Sequence, residues 1–280
     1  MLDRPKPQEK EVVVGGVTVR YRVDGPENGR LPLVMVHGTA GSIDGHYGYL
    51  FPMMAYRQRV IALEFAEPEG ETLELDQLVA QVQAVIDAER PGKPVALMGY
   101  SLGAVVAAAT AALLGKRIEN LILIAGWQKT DTHQLFRNKV WKALRNDGSA
   151  SLTEYMTFCA FSPAFMNIRT VDDMAAAAGM LNVTPFVEKQ MDLNTRIDIA
   201  AAVETITART LVIGCTSDMM VPKHHSKALF GSIPDARYTE VPSGHAVVHE
   251  RPAELFYHID NFTRLPGTHP AGTIIPAQKP

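Results

Sequence analysis

The sequence predicts an α/β fold in which a mostly parallel central sheet is flanked by helices and carries a helical cap insertion. Apolar runs without polar alternation recur along the chain, and this pattern is typical of strands buried on both faces of a parallel sheet. Helical stretches alternate with these runs, which favours a three-layer sandwich. Between Gly126 and Arg209 the strand pattern stops and only helical stretches follow.

The elements of the core can be assigned in chain order. Alternating residues on either side of Gly15-Gly16 predict a β-hairpin. Apolar runs predict buried strands at 31–36, 59–63, 95–98, 121–125, 210–215 and 236–241. Apolar residues at helical spacing and small-residue runs predict core helices at 43–56, 78–86, 104–114, 223–230 and 246–263.

The interruption divides the chain into regions. We expect residues 1–126 and 210–265 to form the core, 127–209 a helical cap, and 266–280 a loose C-terminal tail. Long insertions of this kind are usually functional. The cap is rich in methionine and aromatic residues, most of which should hold its helices together. The remainder should face an apolar cavity that suits an acyl chain or a ring better than a charged group such as succinyl.

Composition excludes several classes of function. The 27 Lys and Arg residues do not exceed the 30 Asp and Glu residues, so we expect no nucleic-acid partner. No apolar run approaches the ~20 residues that span a bilayer, and the first residues lack the apolar core of a signal peptide, so the expected location is cytoplasmic. Cys159 and Cys215 lack metal-ligand spacing and fit reduced, buried thiols. The oligomeric state stays open.

The motif Gly99-Tyr100-Ser101-Leu102-Gly103 lies between a predicted strand and a predicted helix. This is the context in which G-x-S-x-G forms a sharp turn that exposes a nucleophilic serine. The turn strains the backbone at Ser101, and very small residues are needed two positions before and after it. The alternative is a strand–turn–helix unit with an incidental serine.

A serine nucleophile needs a base, and the base needs an acid to orient it. Asp218 and His245 each follow a predicted strand, and the carboxyl ends of parallel strands meet at one edge of the sheet. The order Ser101, Asp218, His245 is the one expected when such residues share a doubly wound sheet. Asp131, which follows an earlier strand, is the rival acid. Asp218 could instead only cap a helix.

The reaction also needs amides that stabilise an oxyanion. We expect these to be the backbone N–H groups of Leu102, at a helix start, and of Thr39, in the loop His37–Gly41. The alternative for this loop is a tight turn whose glycines only relieve strain. Candidates for substrate contact are Tyr100, Trp127, Phe161 and Met219.

Together these motifs resemble the α/β-hydrolase superfamily. The resemblance covers roughly residues 10–265 and rests on His37-Gly38 after the first buried strand, the Gly99–Gly103 motif, Ser217-Asp218 with a proline following, and Ser243-Gly244-His245. One loop departs from the pattern: many members carry Asp-x-Pro-Gly-x-Gly-x-Ser where this chain has the sequence from Glu64 to Gly70. Members with an aspartate nucleophile are disfavoured because position 101 is serine.

The sequence therefore predicts a serine hydrolase that acts on a small or medium apolar ester, lactone or thioester and needs neither a metal nor an organic cofactor. Relatives with the same machinery also cleave C–C bonds or support perhydrolysis or transfer, and these activities are not separated by sequence. From another class, a receptor or an isomerase-like or cyclase-like protein of the same fold is the alternative.

Overall fold

A computed structural model of the protein describes residues 6–277. Eight strands in this part of the chain form one sheet: β1 (Gln8–Val14), β2 (Val17–Asp24), β3 (Leu33–Val36), β4 (Val60–Leu63), β5 (Val95–Tyr100), β6 (Ile118–Ile124), β7 (Arg209–Cys215) and β8 (Ala236–Val241). Their order across the sheet is β1-β2-β4-β3-β5-β6-β7-β8. The strands from β4 to β8 in this order run parallel, whereas β1 and β2 pair antiparallel at one edge.

Helices cover both faces of the sheet and form the insertion. In chain order they are α1 (Ile43–Tyr47), α2 (Leu50–Ala55), α3 (Leu75–Glu89), α4 (Leu102–Leu114), α5 (Thr132–Asn146), α6 (Leu152–Ala160), α7 (Pro163–Met166), α8 (Val171–Gly179), α9 (Pro185–Arg196), α10 (Ala200–Val203), α11 (His224–Ser232), α12 (Val247–Glu250) and α13 (Pro252–Arg264). Over residues 6–277, no helix has the length and apolar character to cross a bilayer.

Strand β5 shows why the predicted strands lack polar alternation. All six of its residues are buried. Successive side chains of a strand point to opposite faces: Val95 and Leu97 join the apolar cluster of α3, α4, α10 and α11, while Ala96 and Met98 join that of α1, α2, α12 and α13. Neither face of β5 contacts solvent, so the side chains on both faces must be apolar. The predicted α/β fold class is confirmed.

The insertion between β6 and β7 has a small apolar core of its own. Its helices α5, α6 and α9 pack around Trp141, Leu152, Val187 and Met191. The two ends of the insertion pair with each other: the Thr130 N–H donates to the Ile197 carbonyl at 3.0 Å, and the Ile199 N–H donates to the Gln128 carbonyl at 2.7 Å. Helix α10, which precedes β7, packs against α4 beside the sheet. The division of the chain into core and cap at residues 127 and 209 stays a prediction.

Two helices predicted as continuous are each broken. The predicted helix 43–56 divides into α1 and α2 at Gly48-Tyr49. The predicted helix 246–263 divides into α12 and α13 at Arg251, because Pro252 has no N–H to continue the helical hydrogen bonds.

Part of the C-terminal segment, for which the sequence predicts a loose or surface-hugging tail, pairs with the last strand. The Gly272 N–H donates to the Ala236 carbonyl at 2.8 Å, the Tyr238 N–H to Thr273 at 3.0 Å, and the Ile275 N–H to Tyr238 at 2.7 Å. These bonds cover the free edge of β8. A single backbone pairing of this kind leaves no side-chain periodicity in the sequence. Residues 278–280 of the predicted tail lie outside the described range.

Acidification is expected to destabilise this fold between about pH 6.5 and 5. Burial lowers the pKa of His37, and likewise that of His258, to about 4, so both imidazoles stay neutral in the folded state. The unfolded chain, with a histidine pKa of about 6.5, takes up protons that the folded state rejects, so stability is lost as the pH falls. Each histidine should cost up to ~2 kcal/mol over this interval.

Urea unfolding at pH 7 and pH 5 measures this loss. His258→Gln removes one of the two groups and should reduce the difference in unfolding free energy between the two pH values. Equal stability of the wild-type protein at both pH values would contradict the prediction.

Candidate active site

The turn between β5 and α4 holds Ser101 in a strained conformation, with φ 57° and ψ −124°. The Ser101 N–H donates to the Ile124 carbonyl of β6 at 2.9 Å, which fixes the turn to the sheet. A Cβ on Gly99 would lie 2.0 Å from the Gly103 carbonyl oxygen, and a Cβ on Gly103 would lie 2.1 Å from that of Val36. Only glycine fits these two positions, and the close packing presents the Ser101 hydroxyl at the end of the strand.

Loops after three different strands bring Ser101, His245 and Asp218 together. His245 Nε2 lies 2.8 Å from Ser101 Oγ, and His245 Nδ1 lies 2.7 Å from Asp218 Oδ2. All three side chains are buried. They form one continuous line of hydrogen bonds from carboxylate to hydroxyl, the arrangement in which a serine becomes a nucleophile.

Both carboxylate oxygens of Asp218 have defined partners. Oδ1 accepts from the Met220 and Val221 amides, each at 2.8 Å, which leaves Oδ2 directed at His245. The helix that follows begins after Lys223, so Asp218 does not cap it.

Asp131 has a different set of contacts. It caps α5 by accepting from the Gln134 amide at 2.9 Å. Its Oδ2 lies 2.9 Å from His224 Nε2 and 3.2 Å from His225 Nε2. These three donor groups lie within 4.8 Å of one another, close enough for one metal ion to bridge them. Because His224 Nε2 already lies at hydrogen-bonding distance from the carboxylate, a hydrogen bond accounts for this contact without an ion.

Two backbone amides next to Ser101 are free. Leu102 is the first residue of α4, so its N–H has no acceptor within the helix. The Thr39 N–H has no acceptor among the described residues. A Cβ on Gly38 would lie 2.8 Å from Ser101 Cβ, so the loop carrying Thr39 packs directly on the serine. This is the pair of amides expected from sequence.

Helix α9 of the insertion holds that loop, and sequence reasoning missed this contact. Gln190 Oε1 accepts from the Ala40 N–H at 2.9 Å, and Asn194 Nδ2 donates to Thr39 Oγ1 at 3.0 Å. Residues four apart share one face of a helix, so both amides reach the loop together. Ala40 has a φ of 56°, a conformation that needs such support. No local signal links residues about 150 positions apart.

His37 joins the same loop to the next strand. Its Nδ1–H donates to the Gly38 carbonyl at 2.9 Å, and its Nε2 accepts from the Phe65 N–H at 3.1 Å. One nitrogen donates and the other accepts, which requires the neutral imidazole that its lowered pKa also favours.

The loop from Glu64 to Gly70, where the chain departs from the α/β-hydrolase pattern, is anchored at both ends. Glu64 Oε1 accepts from the Ile43 N–H at 2.8 Å. Lys189 of α9 donates to the Gly70 carbonyl at 2.6 Å and pairs with Glu67 at 2.8 Å. Through Glu67 and the Gly70 carbonyl, this loop therefore binds helix α9 of the insertion to the core.

Tyr100 and His46 form one wall beside Ser101 and His245. The Tyr100 hydroxyl donates to the His245 carbonyl at 2.7 Å and so fixes the backbone that carries the imidazole. His46 Nδ1 accepts from the Gly38 N–H at 3.2 Å. Burial, followed by the neighbouring His37, His249 and His245, holds the pKa of His46 well below its usual range.

A cavity of about 680 Å³ opens above Ser101 and His245 beneath the insertion. Three of the four residues predicted to contact substrate line it, namely Tyr100, Trp127 and Phe161. Met219 does not: it is 39% exposed, and its neighbour Met220 lines the cavity instead. The apolar part of the wall also includes Met156, Phe165, Met174, Met180, Leu181 and Met191.

Comparison with known proteins identifies the family of the chain. A sequence model described as "Alpha/beta hydrolase family" matches residues 33–258. The pyrrolizixenacetamide deacetylase of Xenorhabdus hominickii is 30% identical over 266 residues, which cover 90% of this chain and 97% of that protein.

Solved structures show the same fold at lower identity. The enol-lactonase from Burkholderia xenovorans LB400 superimposes with a TM-score of 0.78 at 19% identity, covering 91% of this chain and 100% of that one. A thermophilic esterase from Thermogutta terrifontis gives 0.77 at 18% identity, covering 92% and 98%. By the match over most of its length and by its 30% identical relative, the chain belongs to the alpha/beta hydrolase family.

Proposed function

We propose that the protein is a serine hydrolase that cleaves a small or medium carboxylic ester, lactone or thioester through an acyl-enzyme. The hydrogen-bonded line from Asp218 through His245 to Ser101 carries this proposal, because it ends at a cavity beside two free amides. The apolar part of the cavity wall suits the apolar body of such a substrate.

His245 acts as the general base. Its Nε2 takes the proton of Ser101 Oγ as the oxygen attacks the substrate carbonyl, and Asp218 stabilises the imidazolium and keeps Nδ1 protonated. The Thr39 and Leu102 amides donate to the oxyanion that forms, and each such donor is worth roughly 3–4 kcal/mol in comparable enzymes.

The same groups complete the reaction. His245 returns its proton to the leaving oxygen or sulfur, which departs and leaves the acyl group on Ser101. A water molecule then gives a proton to His245 and attacks the acyl carbonyl. The bond to Ser101 Oγ breaks, His245 returns the proton to that oxygen, and the acid product is released.

Amide deacylation is a second candidate, supported by the 30% identical relative named as a deacetylase. An amine is a poorer leaving group than an alcohol, so protonation by His245 becomes more important. Turnover of an aryl acetamide beside the corresponding aryl acetate would distinguish the two candidates.

The proposed function is tested with 4-nitrophenyl acetate and a fluorophosphonate. We expect hydrolysis of the ester and one covalent adduct, located at Ser101 by intact mass and peptide mapping, because only an activated serine attacks such a reagent at neutral pH. No adduct, or an adduct at another residue, would contradict the assignment and favour a receptor or another non-hydrolytic member of the family.

A further inference from the structure

Helix α5 departs from an ordinary amphipathic helix because it turns several polar side chains toward the cavity and leaves two large apolar ones exposed. Surface helices bury their apolar stripe and expose their polar one. In α5, Leu135 is 46% exposed and Phe136 is 65% exposed, whereas the residues that line the cavity are Gln134, Arg137, Asn138 and Trp141. These four positions are three or four residues apart and so share one face. Helix α5 therefore presents polar side chains to the cavity, whereas the other helices of the insertion present mostly apolar ones.

Polar atoms on this face lack partners in the protein. Within residues 6–277, Arg137 Nε, Asn138 Oδ1 and Trp141 Nε1 are buried without a hydrogen bond. Buried polar atoms nearly always have a partner, and an unpaired one in a native structure calls for an explanation. These three atoms have almost no accessible surface, so a ligand in the cavity would meet other atoms of the same side chains, above all the terminal NH groups of Arg137.

Arg137 is the charged member of the group, and no carboxylate in the described residues pairs with it. Two other charged side chains line the cavity, and both have other partners. Arg169 donates to the Phe165 carbonyl at 2.8 Å and lies over that ring, while Asp173 accepts from the Thr170 N–H at 3.0 Å. A half-buried guanidinium thus lines the cavity without a direct ion pair among the described residues, and the carboxylate that acts on its charge is Asp218.

We propose that Arg137 binds a carboxylate of the substrate, so that the natural substrate combines an apolar body with a carboxylate remote from the bond that is cleaved. The guanidinium offers paired donors that match the two oxygens of a carboxylate. Such a substrate supplies a direct ion pair. The inference rests on the proposed hydrolase function and names its substrate class.

This proposal differs from the expectation that the cap forms an apolar site in which charged acyl groups are poor substrates, and that expectation stays a prediction. The composition of the cap predicted methionine and aromatic side chains above the sheet. It could not show which side of α5 faces the cavity. The apolar wall receives the body of the substrate, and α5 receives its charged end.

The test uses two ester pairs that differ only in charge. The 4-nitrophenyl monoester of glutaric acid and its neutral carboxamide analogue carry the group on the acyl side, and 3-acetoxybenzoate and 3-acetoxybenzamide carry it on the leaving-group side. For the wild-type protein we expect kcat/KM to favour the carboxylate in at least one pair by roughly 10- to 100-fold, the usual range for a hydrogen-bonded charge.

Variants assign this preference to the guanidinium. Arg137→Met should bring the charged-to-neutral ratio of kcat/KM close to one, and Arg137→Lys should retain part of it, because the charge remains without the paired donors. Lys139→Met removes an exposed cation from the same helix and should keep the wild-type ratio. Thermal melting verifies that each variant is folded.

The outcomes separate the two proposals. A wild-type ratio near one in both pairs, or an unchanged ratio in Arg137→Met, would overturn the carboxylate site while ester hydrolysis still supports the proposed function. If the wild-type protein hydrolyses 4-nitrophenyl acetate but none of the four esters, the carboxylate site fails alone. If it hydrolyses none of these five esters, the proposed function fails as well.

Discussion

Ser101→Ala is expected to lower kcat for ester hydrolysis by roughly 10⁶-fold, the loss that follows removal of the nucleophile in a serine hydrolase. The fold should persist, because the substitution opens no large cavity and the backbone at position 101 is held by Gly99, Gly103 and the bond to Ile124. Losing the hydrogen bond to His245 should change the unfolding free energy by only about 1 kcal/mol.

Steady-state kinetics and urea unfolding on the same preparation measure both quantities. Ser226→Ala is the matched control, since Ser226 is also buried but lies in α11 away from the cavity. It should keep wild-type turnover. Residual activity above about one per cent in Ser101→Ala would mean that another group performs the attack.

Asp218→Asn is expected to lower kcat by roughly 10⁴-fold. The asparagine can still accept from the Met220 and Val221 amides, so the loop keeps its shape. Its side-chain amide can donate to His245 Nδ1, which would then hold the wrong tautomer and leave Nε2 protonated. Such an imidazole cannot take the proton of Ser101.

Asp131→Asn provides the comparison, because Asp131 was the rival acid. Asparagine caps a helix as well as aspartate does, so α5 should begin normally. The hydrogen bond to the exposed His224 contributes only about 1 kcal/mol. Activity should therefore fall little. A large loss in Asp131→Asn with a small loss in Asp218→Asn would move the acid to α5.

The elements of the core could be predicted because each depends on a short stretch of chain. A strand that is buried on both faces must be apolar throughout, as β5 is. A turn that strains Ser101 needs the small residues at positions 99 and 103. Helix breaks were harder to locate, since a single residue such as Pro252 within an apolar pattern decides them.

The residues of the site also divide into those that the local sequence predicts and those that only the fold brings together. Ser101, Asp218 and His245 were predicted from their position after strands, and the structure brings them within hydrogen-bonding distance. Their catalytic roles stay predictions, as do those of the Thr39 and Leu102 amides. Gln190 and Asn194, which hold the Thr39 loop, had no sequence signal because an amide side chain on a helix contacts whatever element the fold brings to it.

By itself the sequence determined the alternation of strands and helices, the strained serine turn and the order of the three site residues, because backbone sterics and local burial act over a few residues. Only the tertiary structure decided that α5 turns Arg137 toward the cavity and leaves Phe136 in solvent. The sequence of a helix shows which residues share a face. Which of its faces turns toward the cavity depends on packing between distant segments such as α5 and α9.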